Sequence, residues 1–216
     1  MTRLGPAGRY AVEELARGNQ WIGPVLLALV GTALINASDP GPLLAAAGPG
    51  VALMLCVAAW TGQAGLRRTD PALSDTAAAA AGGARRLAGA RIAVRAALSH
   101  TVAAAVLGWT WAVVREADGP RQALTCALAL SAASLLGTAI GTVTAPPVMI
   151  PLARGTLTAS AVLLVLLIAP ISPMHVLLSA LLDDNGSRAA ALYAWATGTT
   201  ALVLSLGLAR RRAQAP

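Results

Sequence analysis

Residues 82–114 read GGARRLAGARIAVRAALSHTVAAAVLGWTWAVV. The stretch opens basic, with Arg85, Arg86, Arg91 and Arg95, and stays apolar from about Ile92 to Val114. About 20 apolar residues cross about 30 Å of hydrocarbon as a helix. Residues 92–114 therefore predict a transmembrane span with arginines gathered at one end. The apolar residues fill the run on every side, whereas a soluble surface helix would keep a polar face.

Working outward, five more runs have this character. They lie at about 21–37, 50–66, 123–143, 151–169 and 189–209, making 92–114 the third of six. The composition agrees: the 216 residues are 56% hydrophobic and only 12% charged, against about 25% charged in soluble domains. The expected fold is an all-α polytopic membrane protein with six transmembrane helices, forming a single transmembrane domain over 1–216.

The net charge of +7 is carried entirely by arginine, for there is no lysine. The absence of Lys and Phe beside abundant Ala suggests a GC-rich bacterial genome. A basic balance raises the question of nucleic acid, but these arginines sit at the ends of apolar runs, as the positive-inside rule requires. With both termini cytoplasmic, only Arg115, Arg121 and Arg188 of the sixteen lie outside. The opposite orientation would put thirteen outside. The aromatic residues follow the same division, with Tyr10, Trp21 and Trp60 near the inner face and Trp109, Trp111, Tyr193 and Trp195 near the outer one. Most read as an interfacial belt; Trp109 and Trp111 are also candidates for stacking on a ligand.

Two segments depart from simple spans. Residues 9–20, RYAVEELARGNQ, place Tyr10, Val12, Leu15 and Ala16 on one helical face, with Arg9, Glu13 and Arg17 at i, i+4 and i+8 on another. That pattern predicts an amphipathic interfacial helix; a frayed polar tail is the alternative. After the fifth span comes PISPMHVLLSALLDDNG, residues 170–186. Pro170 and Pro173 remove helix donors, and the apolar stretch 174–182 reaches only about 14 Å. Asn185-Gly186 is a helix stop, and Ser187 can cap the next helix. The expectation is a broken or re-entrant half-helix at the outer face, with a peripheral outer helix as the alternative.

The chemistry is sparse. No Asp or Glu lies within a span, whereas ion-coupled carriers place ionisable groups at that depth. His100 and His175 are the only histidines, and neither has a spaced partner ligand for a metal. His100 lies about nine residues into the third span. It reads either as a hydrogen bond to a neighbouring helix or as a group facing a transport path. A hydrolytic Ser/His site would need a third orienting group, and no intramembrane acid supplies one. Without lysine the chain cannot build a P-loop nucleotide site. Cys56 and Cys126 lie inside apolar runs and read as small apolar residues. Glu13 and Glu14 ahead of the first span, with no small-residue cleavage site after it, predict no cleaved secretory leader. Gly137 and Gly141 form a GxxxG pair, which predicts close helix packing and a candidate dimer seam.

Taken together, RYAVEELARGNQWIGPVLLALV at 9–30, LRRTDPALSDTAAAAAGGARRLAGARIAVRA at 66–96 and VTAPPVMIPLARGTLTASAVLLVLLIAPISP at 143–173 resemble the six-helix membrane subunit of type-2 ATP-binding-cassette export permeases of actinobacteria. The likeness extends over nearly the whole chain, through degenerate motifs. It implies an elbow helix at 9–20 and a cytoplasmic loop at 67–91 carrying a coupling helix. It implies pairing with an identical or sister permease, and a separate cytoplasmic ATPase dimer that hydrolyses ATP-Mg and drives export. The chain itself would then be no enzyme and bind no cofactor. Its short length leaves no large extracellular domain, which argues against bulky polysaccharide cargo.

On that reading, the Ala-rich stretch 77–81 and Arg85, Arg86 and Arg91 are the coupling candidates; Arg91 and Arg95 also read as lipid anchors that snorkel to inner phosphates. Pro170 and Pro173 would shape an outer gate, and His100, Trp109 and Trp111 are the path-facing candidates. The expected function is export of a hydrophobic or amphipathic small molecule, a drug, antibiotic or lipid-like compound, across the bacterial cell membrane. A non-transporting membrane assembly or immunity protein is the alternative, and a secondary carrier a third reading. Membrane lipid is an expected partner and nucleic acid is not.

Overall fold

Helix dominates the computed structural model, which describes residues 5–37, 41–64, 71–114, 119–145, 152–183 and 188–212, with the side chains of 71–75, 152 and 153 excepted. In chain order the described helices are α1 Pro6–Arg17, α2 Ile22–Ile35, α3 Leu43–Ala64, α4 Pro71–Ala80, α5 Ala84–Val113, α6 Pro120–Thr144, α7 Leu152–Ile168, α8 Pro173–Leu182 and α9 Arg188–Arg212. Among the described residues, α3, α5, α6 and α9 are long and apolar enough to cross a membrane. The crossings number up to six if the bent pairs α1–α2 (68°) and α7–α8 (48°) each count as one span.

Two helices start earlier than the apolar runs suggest. The second span was expected from about Gly50, but α3 begins at Leu43 and runs through Pro49. A proline inside a helix costs about 3 kcal/mol. Here Leu43, Leu44, Ala46 and Ala47 are all buried, and their packing offsets that cost. The third span was expected from about Ile92, but α5 is one continuous helix from Ala84. The basic lead-in and the apolar run are thus a single rod.

α6 is the centre of the bundle, touching α3, α5, α7 and α9. Its contact with α3 depends on glycine. A Cβ on Gly62 would come within 2.9 Å of the Thr138 carbonyl oxygen. A Cβ on Gly137 or Gly141 would collide with the carbonyl oxygens of Leu55 and Ala59. The Gly137/Gly141 pair is therefore consumed within the chain, and the expectation of a dimer seam there is corrected. The core beside this seam includes Val51, Met54, Leu55, Cys126, Ala129 and Ala133.

Three hydroxyls inside α6 are satisfied within their own helix. Ser134, Thr138 and Thr142 each donate to the carbonyl one turn back, at 2.8, 2.7 and 2.8 Å. In a medium without water this self-satisfaction keeps a hydroxyl tolerable.

A smaller cluster lies at one end, where Ala77, Ala81 and Leu87 pack with Ala7, Tyr10 and Ala78. It joins α1, α4 and the start of α5. Val12 is exposed, and Ala11 is the buried residue, because α1 turns Ala11 and Glu14 toward α5.

Candidate functional site

The chemistry-bearing residues fall into four places. The first is the basic end. α4 stops in a Schellman motif: the Gly83 N–H donates to Ala78 O at 2.8 Å and the Gly82 N–H to Ala79 O at 3.2 Å. Both glycines have positive φ, +77° and +123°, which glycine adopts without penalty. Gly83 then caps α5, its carbonyl accepting from the amides of Arg86 and Leu87. Arg85 and Arg86 are exposed just beyond this turn, and the Arg86 guanidinium lies over Gly82.

The end of α9 joins them. Gly89 lets the Arg210 guanidinium lie against α5, within 3.0 Å of where a Cβ would stand. Arg85, Arg86, Arg210 and Arg211 line one groove of about 480 Å³. Of the Ala-rich coupling stretch 77–81, Ala77 and Ala81 are 5% and 3% exposed and pack with Leu87, Ala7 and Tyr10 of α5 and α1. Ala79 and Ala80 remain open to solvent. Arg67, Arg68 and Asp70 of the same loop lie outside the described residues.

Arg91 also departs from its expected place beside Arg85 and Arg86. It is buried and grips Glu14 with two hydrogen bonds, Nε to Oε2 at 2.7 Å and Nη2 to Oε1 at 2.9 Å. Arg95, one turn on, is 4% exposed. Both side chains are thus buried within the chain, and Arg91 is held by Glu14. The Arg9–Glu13–Arg17 series is represented by one exposed pair, Arg17 to Glu13 at 3.9 Å; Arg9 is exposed.

The second place is a groove of about 460 Å³ between α3 and α7, lined by Cys56, Trp60, Gln63, Thr156, Ser160 and Leu163 among others. At its end, Gln63 Nε2 donates to Thr144 Oγ1 at 2.8 Å and to Gly155 O at 3.3 Å, tying α3 to α6 and α7. α7 buries only Gly155 and Ala159 among its described side chains, and it presents exposed Leu157, Leu164, Val165 and Ile168 beside the groove.

The third place is the break between α7 and α8. Pro170 has no amide to give Leu166 O, and the Ser172 hydroxyl donates there instead at 2.6 Å. The Ser172 oxygen also accepts from Met174 N at 3.2 Å, capping α8. The His175 ring Nδ1 donates to Leu167 O at 3.0 Å, which assigns its proton to that nitrogen because a carbonyl only accepts. The break is thus a stitched corner. Beyond it, Met174, Leu177 and Leu181 are fully buried against α3 and α9. The terminating Asn185-Gly186 and Ser187 lie outside the described residues.

The fourth place is around His100. Its Nδ1 donates to Ala96 O at 2.7 Å, so Nε2 accepts from the Ser131 hydroxyl at 3.1 Å. Ser131 Oγ accepts in turn from Trp195 Nε1 at 3.2 Å. The chain of bonds links α5, α6 and α9. His100 therefore has the helix-bridging contact that was one of its two readings. Trp109 and Trp111 are 51% and 40% exposed and stand about 13 Å or more further along α5. The structure does not bring them together with His100.

No protein-family model, curated protein or solved structure corresponds to this chain. The site therefore stands on its geometry. Three of its features escaped sequence reading: the junction of Arg210 and Arg211 with Arg85 and Arg86, the Arg91–Glu14 pair, and the α3–α7 groove. Each joins residues distant in the chain. The small residue Gly89 near the arginines was the one local signal, and Ala-rich surroundings hid it.

Proposed function

We propose that the chain is the membrane subunit of an ATP-binding-cassette exporter, moving a hydrophobic or amphipathic small molecule out of a bacterial cell with energy from a separate ATPase. The observation that carries this reading is the exposed groove of Arg85, Arg86, Arg210 and Arg211, mounted on the rod α5 and braced by α1 and α4. A membrane protein that only needed anchoring would gain as much from scattered arginines. A concentrated cationic groove fits a partner surface bearing carboxylates, which guanidinium forks bind bidentately. The α3–α7 groove, half polar in its named side chains and flanked by exposed apolar residues of α7, suits an amphipathic cargo and a second permease subunit closing over it. The α7–α8 corner at Pro170 and Pro173 would act as the outer gate.

The test is purification of the tagged chain from its native membrane in mild detergent. It should carry a nucleotide-binding ATPase and hydrolyse Mg-ATP, and the same chain expressed alone should not. Arg85→Glu/Arg86→Glu, at matched membrane levels, should lose both the ATPase and the hydrolysis. Single Arg→Ala changes should do little, because each water-exposed pair is worth about 0–1 kcal/mol. Retention of the ATPase and normal export by the double variant would assign these arginines to lipid.

The proposed orientation has both termini and α4 in the cytoplasm. In a Cys56→Ala/Cys126→Ala background, a membrane-impermeant maleimide added to sealed cells should label Ala189→Cys and spare Ala79→Cys. The reverse pattern would invert the topology and remove the basic groove from reach of a cytoplasmic ATPase.

A further inference from the structure

We propose that the cavity between α1 and α5 is a binding site for the phosphodiester of an anionic membrane lipid, held by Arg95. The cavity measures about 90 Å³, and its walls include Ala11, Glu14, Leu15, Arg91, Val94 and Arg95. Arg95 is 4% exposed, and its Nη1 has no hydrogen-bond partner among the described residues. A guanidinium in such a place needs an anion, because an unpaired buried charge is costly. The nearby carboxylate is already engaged: both oxygens of Glu14 accept from Arg91 at 2.7 and 2.9 Å. One negative and two positive side chains leave the walls with a net charge of plus one. That matches a phosphodiester, which carries one negative charge.

The position fits a lipid headgroup. α5 has 30 residues, about 45 Å of helix, against about 30 Å of hydrocarbon. If Val113 marks the far boundary, roughly ten residues at the Ala84 end project from the hydrocarbon. Arg95 then stands at the near boundary, where phosphates lie. α1, amphipathic and bent 68° from α2, roofs the cavity at that level. The volume exceeds the roughly 30 Å³ share of one water and admits a small polyatomic anion. The site does not depend on whether the chain exports anything.

The experiment measures the thermal midpoint of the purified chain on titration with phosphatidylglycerol, phosphatidylcholine or inorganic phosphate. Phosphatidylglycerol should raise the wild-type midpoint beyond the phosphatidylcholine control. Arg95→Met should lose that increment, with apparent affinity weakened at least about tenfold, as for loss of a charged hydrogen bond. In phosphatidylcholine, Arg95→Met should melt no lower than wild type, because it removes a buried guanidinium whose Nη1 has no hydrogen-bond partner among the described residues. Arg9→Met, which removes an exposed charge from the same end, should keep the increment. Should Arg95→Met fail to fold, Arg95→Lys serves: it retains the charge without the fork and should bind phosphatidylglycerol several-fold more weakly. Undiminished affinity in the Arg95 variants overturns the proposal. So does the absence of any phosphatidylglycerol increment in wild type, or a shift produced by inorganic phosphate alone.

Discussion

Gly141→Leu is expected to yield no monodisperse folded protein, and Gly141→Ala to lower the thermal midpoint by roughly 5–10 °C. At this position the α3 and α6 backbones are in contact. A Cβ on Gly141 would overlap the Ala59 carbonyl oxygen and come within 2.9 Å of Gly62 Cα. Both are main-chain atoms, so no rotamer change relieves the clash and the helices must separate. Overpacking of this kind costs about 1–3 kcal/mol for a methyl, and a leucine exceeds what the seam can absorb within a stability of about 5–15 kcal/mol. Separation would also strain the Gln63–Thr144 bond at the end of the seam. Gly207→Ala is the control: nothing lies within 4 Å of a Cβ there, and both changes share the gain in helix propensity. Equal midpoints for the two alanine variants would remove the seam from the account.

Glu14→Ala is expected to release α1 from α5. The change leaves Arg91 buried without its carboxylate, one turn from the buried Arg95. Breaking a buried pair from one side costs about 3–5 kcal/mol, and the lower end applies because the Glu14 side chain is 26% exposed. A cost of about 3 kcal/mol corresponds to a roughly hundredfold rise in the population of detached α1. Ala11→Cys, at a position 3% exposed, reports it as a faster reaction with maleimide. Glu13→Ala should change nothing measurable, since its bond to Arg17 is 3.9 Å long and exposed. Equal labelling rates in the Glu14 and Glu13 variants would mean that the Arg91 pair does not hold α1.

Much of the local structure was legible in the sequence because its causes are local. Pro170 and Pro173 lack an amide N–H wherever they fold, so a corner between α7 and α8 follows. Gly82-Gly83 ends α4 because few other residues accept positive φ. Ala-rich 77–80 is helical by propensity. The arginines at 9 and 17 with Glu13 mark a surface-facing helix side. Helix starts were less legible, since Pro49 looks like a boundary until the burial of Leu43 and Leu44 is known. The Ser172 hydroxyl that replaces the missing Pro170 amide was also hidden, because its partner depends on how sharply the chain turns.

By itself, then, the sequence determined an all-helical, lipid-suited chain, its breaks and the clustering of its charge, since apolar length, missing donors and charge act within a few residues. Tertiary structure alone decided which small residues meet, which arginines are buried and which stay free. Gly141 finds Gly62, Arg91 finds Glu14, and Arg210 finds Gly89 across long separations in the chain. Those pairings depend on how closely two helix backbones approach, a property of the pair that neither helix carries in its own composition.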